Sequence, residues 1–177
     1  MSSSCTENPS QSLSAIVLIG MPGAGKSTVG RLLAEKRQWP LVDTDDLLAN
    51  DAGCSLQDIV DQQGYRRLRQ IEEAVILKGD FTQQVVATGG SAVYSDKAMA
   101  HLRRFGPLVF LNVPLSELTS RLSNFALRGI AAEPGTGINE VFAQRMPLYR
   151  QWADVTIDCK DKDETAVCAA VLAALES

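Results

Sequence analysis

The segment Gly20-Met21-Pro22-Gly23-Ala24-Gly25-Lys26-Ser27 constrains this chain most, because it fits the phosphate-binding pattern G-x-x-x-x-G-K-[ST]. An apolar run precedes it and a helical pattern follows. Glycines let the backbone bend so that N–H groups converge on phosphate oxygens, and a helix N-terminus adds partial positive charge. Lys26 should reach the β- and γ-phosphates, and Ser27 should ligate Mg²⁺. The residues expected to bind ATP in this segment are Gly23, Ala24, Gly25, Lys26, Ser27 and Thr28.

Length and composition limit the class of protein. At 177 residues, with 45% hydrophobic and 21% charged residues, the chain suits one globular domain, which we assign to residues 14–177. No apolar run approaches the ~20 residues of a membrane span, and a net charge of -4 argues against nucleic acid as a partner. Residues 1–13 lack the pattern of a secretory signal and are expected to form a disordered tail, so a cytoplasmic location is predicted.

Short apolar runs alternate with amphipathic helical patterns along the whole domain. This alternation predicts an α/β fold with a parallel sheet and helices on both of its faces. The predicted strands are Ala15–Ile19, Leu41–Val42, Val85–Ala87, Leu108–Leu111 and Val155–Ile157.

An acidic cluster, Asp43-Thr44-Asp45-Asp46, follows the second predicted strand. Open parallel sheets hold their ligands at the carboxyl ends of strands, so this cluster is a candidate for catalysis or metal binding. Asp46 alone could cap a helix that begins near Leu47. The three carboxylates exceed what a helix cap requires.

Arginines crowd the first turns of the helical pattern that Gly64 opens. Positive charge at a helix N-terminus opposes the helix dipole, so at least one of Arg66, Arg67 and Arg69 should have an anionic partner. Glu72 lies three residues after Arg69, within reach to hold that guanidinium in one orientation.

Two glycine-containing segments complete the pattern. Gly89 and Gly90 follow the third strand, where they favour either close approach of the backbone to a ligand or a plain tight turn. Residues 123–137 lose helical periodicity and gather glycines around a single basic residue, Arg128, which predicts a mobile lid.

These features favour phosphoryl transfer to a small acceptor. The reaction needs Mg²⁺, cations around the transferring phosphoryl group and a carboxylate that accepts the proton of the attacking hydroxyl. Lys26, Ser27, Arg128 and one of Asp43 or Asp45 would supply them. A nucleotide-hydrolysing switch normally carries an aspartate after an apolar strand, whereas Val85–Ala87 runs into Thr88 and two glycines.

The chain resembles the shikimate kinase family over about residues 14–176. The resemblance rests on the phosphate-binding loop, the Asp43-Thr44-Asp45 triplet, the segment from Gly64 to Glu72, Gly89-Gly90, Arg128, and Arg145-Met146-Pro147-Leu148-Tyr149. It implies a P-loop kinase fold with five parallel strands in the order 2-3-1-4-5. It also implies transfer of phosphate from ATP to the 3-hydroxyl of shikimate.

By matching position, the resemblance implies a role for each site residue. Asp43 would assist Mg²⁺, and Asp45 would bind the acceptor hydroxyls and act as base. Arg128 would move in with the lid onto the phosphates, and Arg121 would lie against adenine. The acceptor carboxylate would be held by the turn at Gly89 and Gly90 together with Arg69 and Arg145.

The chain departs from the family pattern at two places. Ser91 stands where a third glycine is usual, and Gly129-Ile130 follows Arg128 where Pro-Leu is usual. A related kinase that acts on another small hydroxy acid, such as gluconate or an amino-acid-like alcohol, is the alternative. A regulatory module that binds nucleotide without turnover is disfavoured, because it needs neither a base nor a lid arginine. We expect a monomer.

Overall fold

The computed structural model describes residues 14–122 and 131–177. Within them, five strands form one parallel sheet in the order β2-β3-β1-β4-β5. This confirms the strand order that the family resemblance implies. The strands are β1 Ala15–Ile19, β2 Leu41–Asp43, β3 Gln84–Ala87, β4 Leu108–Asn112 and β5 Val155–Asp158.

Helices connect the strands, as parallel pairing requires. A 3₁₀ turn, Ala92–Tyr94, follows the third strand. The α-helices are α1 Lys26–Arg37, α2 Thr44–Ala52, α3 Leu56–Gln63, α4 Tyr65–Lys78, α5 Asp96–Arg103, α6 Leu115–Arg121, α7 Ile138–Trp152 and α8 Glu164–Leu175.

The central strand β1 is buried along its whole length, so helices cover the sheet on both faces. Helix α1 lies close to β3 and α8, and the close approach depends on Gly30. A Cβ at Gly30 would stand 2.8 Å from Cδ1 of Leu41, so alanine there would require the Leu41 side chain to shift. No described helix is both long and apolar enough to cross a membrane.

The three adjacent strands β2, β3 and β1 end at the same edge of the sheet. Ala87 pairs with both Asp43 and Leu18, and the hydroxyl of Thr88 donates to the carbonyl oxygen of Leu18 at 2.9 Å. The phosphate-binding loop, the acidic cluster and the Gly89-Gly90 turn therefore begin side by side.

The expected cap of α2 is wrong. The helix begins at Thr44, three residues before Leu47, and Asp43 caps it by accepting the backbone N–H of Asp45 at 3.0 Å. The cap lies earlier because β2 extends to Asp43, which leaves no linker between strand and helix.

Several sequence expectations fall outside the described residues. These are the disordered tail at residues 1–13, residues 123–130 of the expected lid, and Arg128 with its assigned role.

Candidate active site

The phosphate-binding loop has the bent backbone that its glycines predict. Gly23 and Gly25 adopt φ of 78° and 88°, and Gly25 is the N-cap of α1. The buried ammonium group of Lys26 donates to the carbonyl oxygens of Gly20 and Met21, both at 2.8 Å. Burial lowers the pKa of Lys26 to about 8, although Asp45 opposes the shift. Lys26 therefore remains largely protonated at neutral pH, as a group that neutralises phosphate charge must.

A cavity of about 520 Å³ adjoins the outer side of this loop. Arg121 lines it and makes an ion pair with Glu117 at 2.9 Å. The cavity is also lined by four residues that are expected to bind ATP: Gly23, Ala24, Gly25 and Thr28. Five of the seven expected nucleotide-binding residues therefore lie around one space, whereas Lys26 and Ser27 line a different cavity.

Ser27 and Asp43 bring two oxygen donors together, as the sequence predicts for a Mg²⁺ site. The hydroxyl of Ser27 donates to Oδ2 of Asp43 at 2.7 Å. Among the described residues, no group of three or more His, Cys, Asp or Glu side chains is placed to hold a metal. Mg²⁺ commonly takes one or two protein oxygens and fills its octahedron with water and phosphate, so a hydroxyl beside a carboxylate fits it.

A second cavity, of about 500 Å³, extends from the phosphate-binding loop to α4 and α7. We call it the acceptor cavity. Both halves of the predicted chemistry line it: Lys26 and Ser27 from the loop, and Asp43, Asp45, Gly90 and Arg145 from the opposite side. An acceptor bound here would lie directly beside the phosphates of a nucleotide on the loop.

The carboxylate of Asp45, the predicted base, lines the acceptor cavity together with Lys26. Burial raises its pKa, and the neighbouring charge of Asp43 adds to the shift. A carboxylate with a raised pKa holds a proton more strongly than an exposed one, which suits the removal of a proton from a hydroxyl.

The two glycines after β3 make room for side chains of the site. A Cβ on Gly89 would stand 2.3 Å from Oε1 of Glu72 and 2.5 Å from Oδ1 of Asp45. A Cβ on Gly90 would stand 2.7 Å from Nη1 of Arg145. The turn is therefore tight and has charged side chains of the site as close neighbours, while the approach of its backbone to a ligand stays a prediction.

Two guanidinium groups converge on one oxygen, the carbonyl of Ala131. Arg69 donates to it through Nε at 3.1 Å and Nη2 at 2.7 Å, and Arg145 donates through Nη2 at 3.4 Å. The ring of Tyr94 supports both groups, with the Cζ atoms 3.7 Å and 5.2 Å from its centroid. We call Arg69 and Arg145, whose N–H groups converge on this oxygen, the arginine clamp.

The two arginines are not equivalent in exposure. Arg145 is buried and lines the acceptor cavity. Arg69 is partly exposed and lines a neighbouring cavity of about 250 Å³, between α4 and the 3₁₀ turn. Arg69 does not line the acceptor cavity, and it is connected to Arg145 through the carbonyl oxygen of Ala131 that both side chains bind.

The expected pairing of Glu72 with Arg69 is wrong. No ion pair joins them within the described residues. The buried carboxylate of Glu72 instead accepts a hydrogen bond from the hydroxyl of Ser91. Burial raises the pKa of Glu72 to about 7, with the Ser91 hydrogen bond acting in the opposite direction.

Sequence reasoning missed two positioning residues. Tyr94 supports the arginines, and Tyr149 donates from its hydroxyl to the carbonyl of Gly90 at 2.7 Å while its ring stacks on Phe110 at 5.2 Å. Tyr149 belongs to the Arg145-Met146-Pro147-Leu148-Tyr149 segment of the family pattern, and this membership was the signal that could have indicated its role in supporting the glycine turn. Tyr94 carries no signal beyond its place soon after Gly90.

The chain is similar in sequence and in structure to known proteins. The family model described as shikimate kinase matches residues 22–176. The shikimate kinase of Pseudomonas savastanoi pv. phaseolicola is 34% identical over 163 residues, which are 90% of this chain and 95% of that protein. The crystal structure of shikimate kinase from Aquifex aeolicus matches with a TM-score of 0.77 and 28% identity, over 92% of this chain and 96% of that one. The Acinetobacter baumannii shikimate kinase in complex with shikimate matches with a TM-score of 0.78 and 25% identity, over 93% and 94%.

Proposed function

This chain belongs to the shikimate kinase family, and we propose that it transfers the γ-phosphoryl group of ATP to the 3-hydroxyl of shikimate, with Mg²⁺. The acceptor would lie in the acceptor cavity with its carboxylate on the arginine pair and its hydroxyls toward Asp45.

One observation carries the choice of a carboxylate acceptor. Arg145 is only 1% exposed, yet no carboxylate lies within 4.0 Å of it among residues 14–122 and 131–177. A buried charge without an ionic partner is costly, and a carboxylate ligand would neutralise it. A guanidinium group binds the two oxygens of a carboxylate in one plane, which adds geometric selection.

On the donor side, the N–H groups at the start of α1 and the ammonium of Lys26 bind and orient the phosphates of ATP. Lys26 would leave its carbonyl partners for the β- and γ-phosphate oxygens, where charge develops during transfer. Ser27 and Asp43 would hold Mg²⁺, which neutralises phosphate charge when it is bound.

On the acceptor side, Asp45 orients the hydroxyl and accepts its proton as the new O–P bond forms. The Gly89-Gly90 turn fixes Asp45 from behind, because only a residue without a side chain leaves room there for the carboxylate. Arg69 and Arg145 hold the far end of the acceptor, so that the hydroxyl faces the loop. This gives the proximity on which phosphoryl transfer depends.

The described parts of one chain supply all of these groups, so a monomer suffices for the proposed reaction. The proposal places the protein in the cytoplasm, where ATP is available and thiols such as Cys159 and Cys168 stay reduced.

The test measures ADP release with Mg²⁺, ATP and shikimate, against the methyl ester of shikimate, gluconate, and no acceptor. Among these four conditions, we expect ADP release above background only with shikimate. Arg145→Gln should raise the KM for shikimate by on the order of 10- to 100-fold, the scale of losing hydrogen bonds between charged groups. Arg150→Gln, an exposed position on the same helix, is the matched control. Equal turnover of the methyl ester, or no turnover of shikimate, would overturn the proposal.

A further inference from the structure

Glu117 connects two walls of the cavity on the outer side of the phosphate-binding loop, which we call the outer cavity. Its two carboxylate oxygens have different partners. Oε2 accepts a hydrogen bond from Nη2 of Arg121 at 2.9 Å, and Oε1 accepts one from the backbone N–H of Asp161 at 3.1 Å. Arg121 is the last residue of α6, whereas Asp161 lies between β5 and α8. One side chain therefore joins two segments that are far apart in the chain.

The contact of Glu117 with Arg121 follows from the local sequence. Glu117 lies in the first turn of α6 and Arg121 lies four residues later, a spacing at which side chains on a helix are neighbours. The pair is partly exposed, with 40% of the Arg121 side chain and 25% of the Glu117 side chain accessible. Exposed ion pairs contribute little to stability. The pair therefore matters more for the position of the guanidinium group than for the fold.

The contact of Glu117 with Asp161 holds a turn at residues 159–162. The N–H of Lys162 donates to the carbonyl oxygen of Cys159 at 3.2 Å and closes this turn. Within it, Asp161 has φ of 55°, in the left-handed region that residues with side chains rarely adopt. Cys159 and Lys162 both line the outer cavity. The position of this wall therefore depends on an oxygen that α6 supplies.

Arg121 also approaches the phosphate-binding loop. Its Nη1 donates to the carbonyl oxygen of Gly23 at 3.5 Å, and Gly23 lines both the outer cavity and the acceptor cavity. A nucleotide with its phosphates on the loop has to place its base in one of these two cavities. The acceptor cavity holds Asp45 and Arg145, which the proposed function assigns to the acceptor. The base therefore belongs in the outer cavity, beside Arg121.

We propose that Glu117 is a positioning residue for the nucleotide base: its carboxylate holds the Arg121 guanidinium and the turn at residues 159–162 in a fixed relation, so that the space for the base is formed before ATP binds. The proposal rests on the proposed function in one respect, that ATP is the donor. A planar guanidinium group stacks well on an aromatic ring, and binding is tighter when such a group does not have to be ordered at the moment of binding.

Two substitutions of Glu117 and one control define the test. Glu117→Ala removes both contacts. Glu117→Gln keeps one oxygen that can accept from either partner, so it should have a smaller effect. Glu176→Ala is the matched control, because Glu176 also pairs with an arginine, Arg37 at 3.4 Å, and neither residue of that pair lines the outer cavity.

The experiment compares a ligand that has a base with one that does not. Calorimetry measures the Kd of each protein for ATP and for tripolyphosphate, both with Mg²⁺ and without acceptor. For Glu117→Ala we expect the Kd for ATP to rise about five- to tenfold, because the space for the base is no longer preformed. The Kd for tripolyphosphate should not rise, because loss of a carboxylate does not weaken the attraction of an anion. Glu176→Ala should change either Kd by less than about twofold.

Steady-state kinetics with shikimate gives a second readout. In Glu117→Ala the KM for ATP should rise while kcat changes less than about twofold, as for an interaction that contributes equally before and during the reaction. Glu117→Gln should lie between the wild-type protein and Glu117→Ala in both assays.

Two results would overturn the proposal. One is a Kd for ATP that is unchanged or lower in Glu117→Ala. The other is an equal rise in the Kd values for ATP and tripolyphosphate, which would indicate a general disturbance of the phosphate-binding loop. Failure of the proposed function is a separate result, since the wild-type protein would then bind no ATP or release no ADP with shikimate. The binding measurements contain no acceptor, so they test Glu117 whichever acid the protein phosphorylates.

Discussion

The buried carboxyl group of Glu72 should make stability depend on pH in a way that one substitution removes. Its pKa rises from an ordinary 4.5 to about 7 in the folded chain, mainly because burial disfavours the ionised form. The folded protein therefore binds this proton more tightly than the unfolded protein does. The resulting contribution to stability is complete below pH 4.5 and is lost as the pH rises through about 7.

The size of the effect follows from the difference between the two pKa values. Each pKa unit corresponds to about 1.4 kcal/mol, so the wild-type protein should lose about 2 to 3 kcal/mol of stability from this group between pH 5 and pH 8. Glu72→Gln keeps the size and polarity of the side chain but cannot ionise. The free energy of unfolding of the variant, relative to wild type, should therefore increase by that amount over the same range.

Urea unfolding followed by the fluorescence of Trp39 and Trp152 measures both proteins at pH 5 and pH 8. Glu73→Gln, at the next position of the same helix, controls for the removal of one carboxyl group. A difference between wild type and Glu72→Gln that stays constant from pH 5 to pH 8 would refute the reasoning. A wild-type protein that gains stability relative to the variant as the pH rises would refute it more strongly.

Three further substitutions test the donor side, the turn and the clamp. Lys26→Met should lower kcat by on the order of 100- to 1000-fold, because it removes a charge that stabilises the transferring phosphoryl group. Rapid-quench kinetics with saturating ATP measures the rate of phosphoryl transfer, and an unchanged rate would contradict this role of Lys26. Gly89→Ala should destabilise the fold by about 1–3 kcal/mol in urea unfolding, since its Cβ would overlap carboxylate oxygens of Glu72 and Asp45; a variant as stable as wild type would contradict this close packing. Arg69→Lys should raise the KM for shikimate about tenfold and leave the KM for ATP unchanged in steady-state assays, because an ammonium cannot bind a carboxylate through a planar fork; equal changes in both constants would place Arg69 elsewhere.

The positions of the strands and of the phosphate-binding loop could be predicted from sequence because their determinants are local, whereas the strand order came from the family resemblance. A continuous apolar run predicts the burial of β1, and the glycines that shape the phosphate-binding loop follow this run directly. The position of the acidic cluster at the end of β2 follows from the same rule for parallel sheets. The position of the α2 cap did not follow, because it depends on where β2 stops pairing with β3, and pairing is a property of two segments.

The acceptor side was less predictable because its contacts join segments far apart in the chain. Spacing along α4 correctly makes Arg69 and Glu72 neighbours, but it cannot show that Ser91 offers Glu72 a competing hydrogen bond. Nor can it show that the carbonyl of Ala131 takes the N–H groups of Arg69. A backbone carbonyl is present in every residue, so no sequence pattern distinguishes the one that fills such a position.

The oxygen of Ala131 also sets a threshold for anions. An ion that binds the same N–H groups of the arginine pair must replace a carbonyl that already accepts them from both side chains. Chloride offers a single spherical charge and recovers little of the directional bonding that it displaces. A carboxylate offers two oxygens in a plane and recovers more than it displaces. Chloride should therefore bind this arginine pair less well, relative to a carboxylate, than it would bind two guanidinium groups with no oxygen already bound between them.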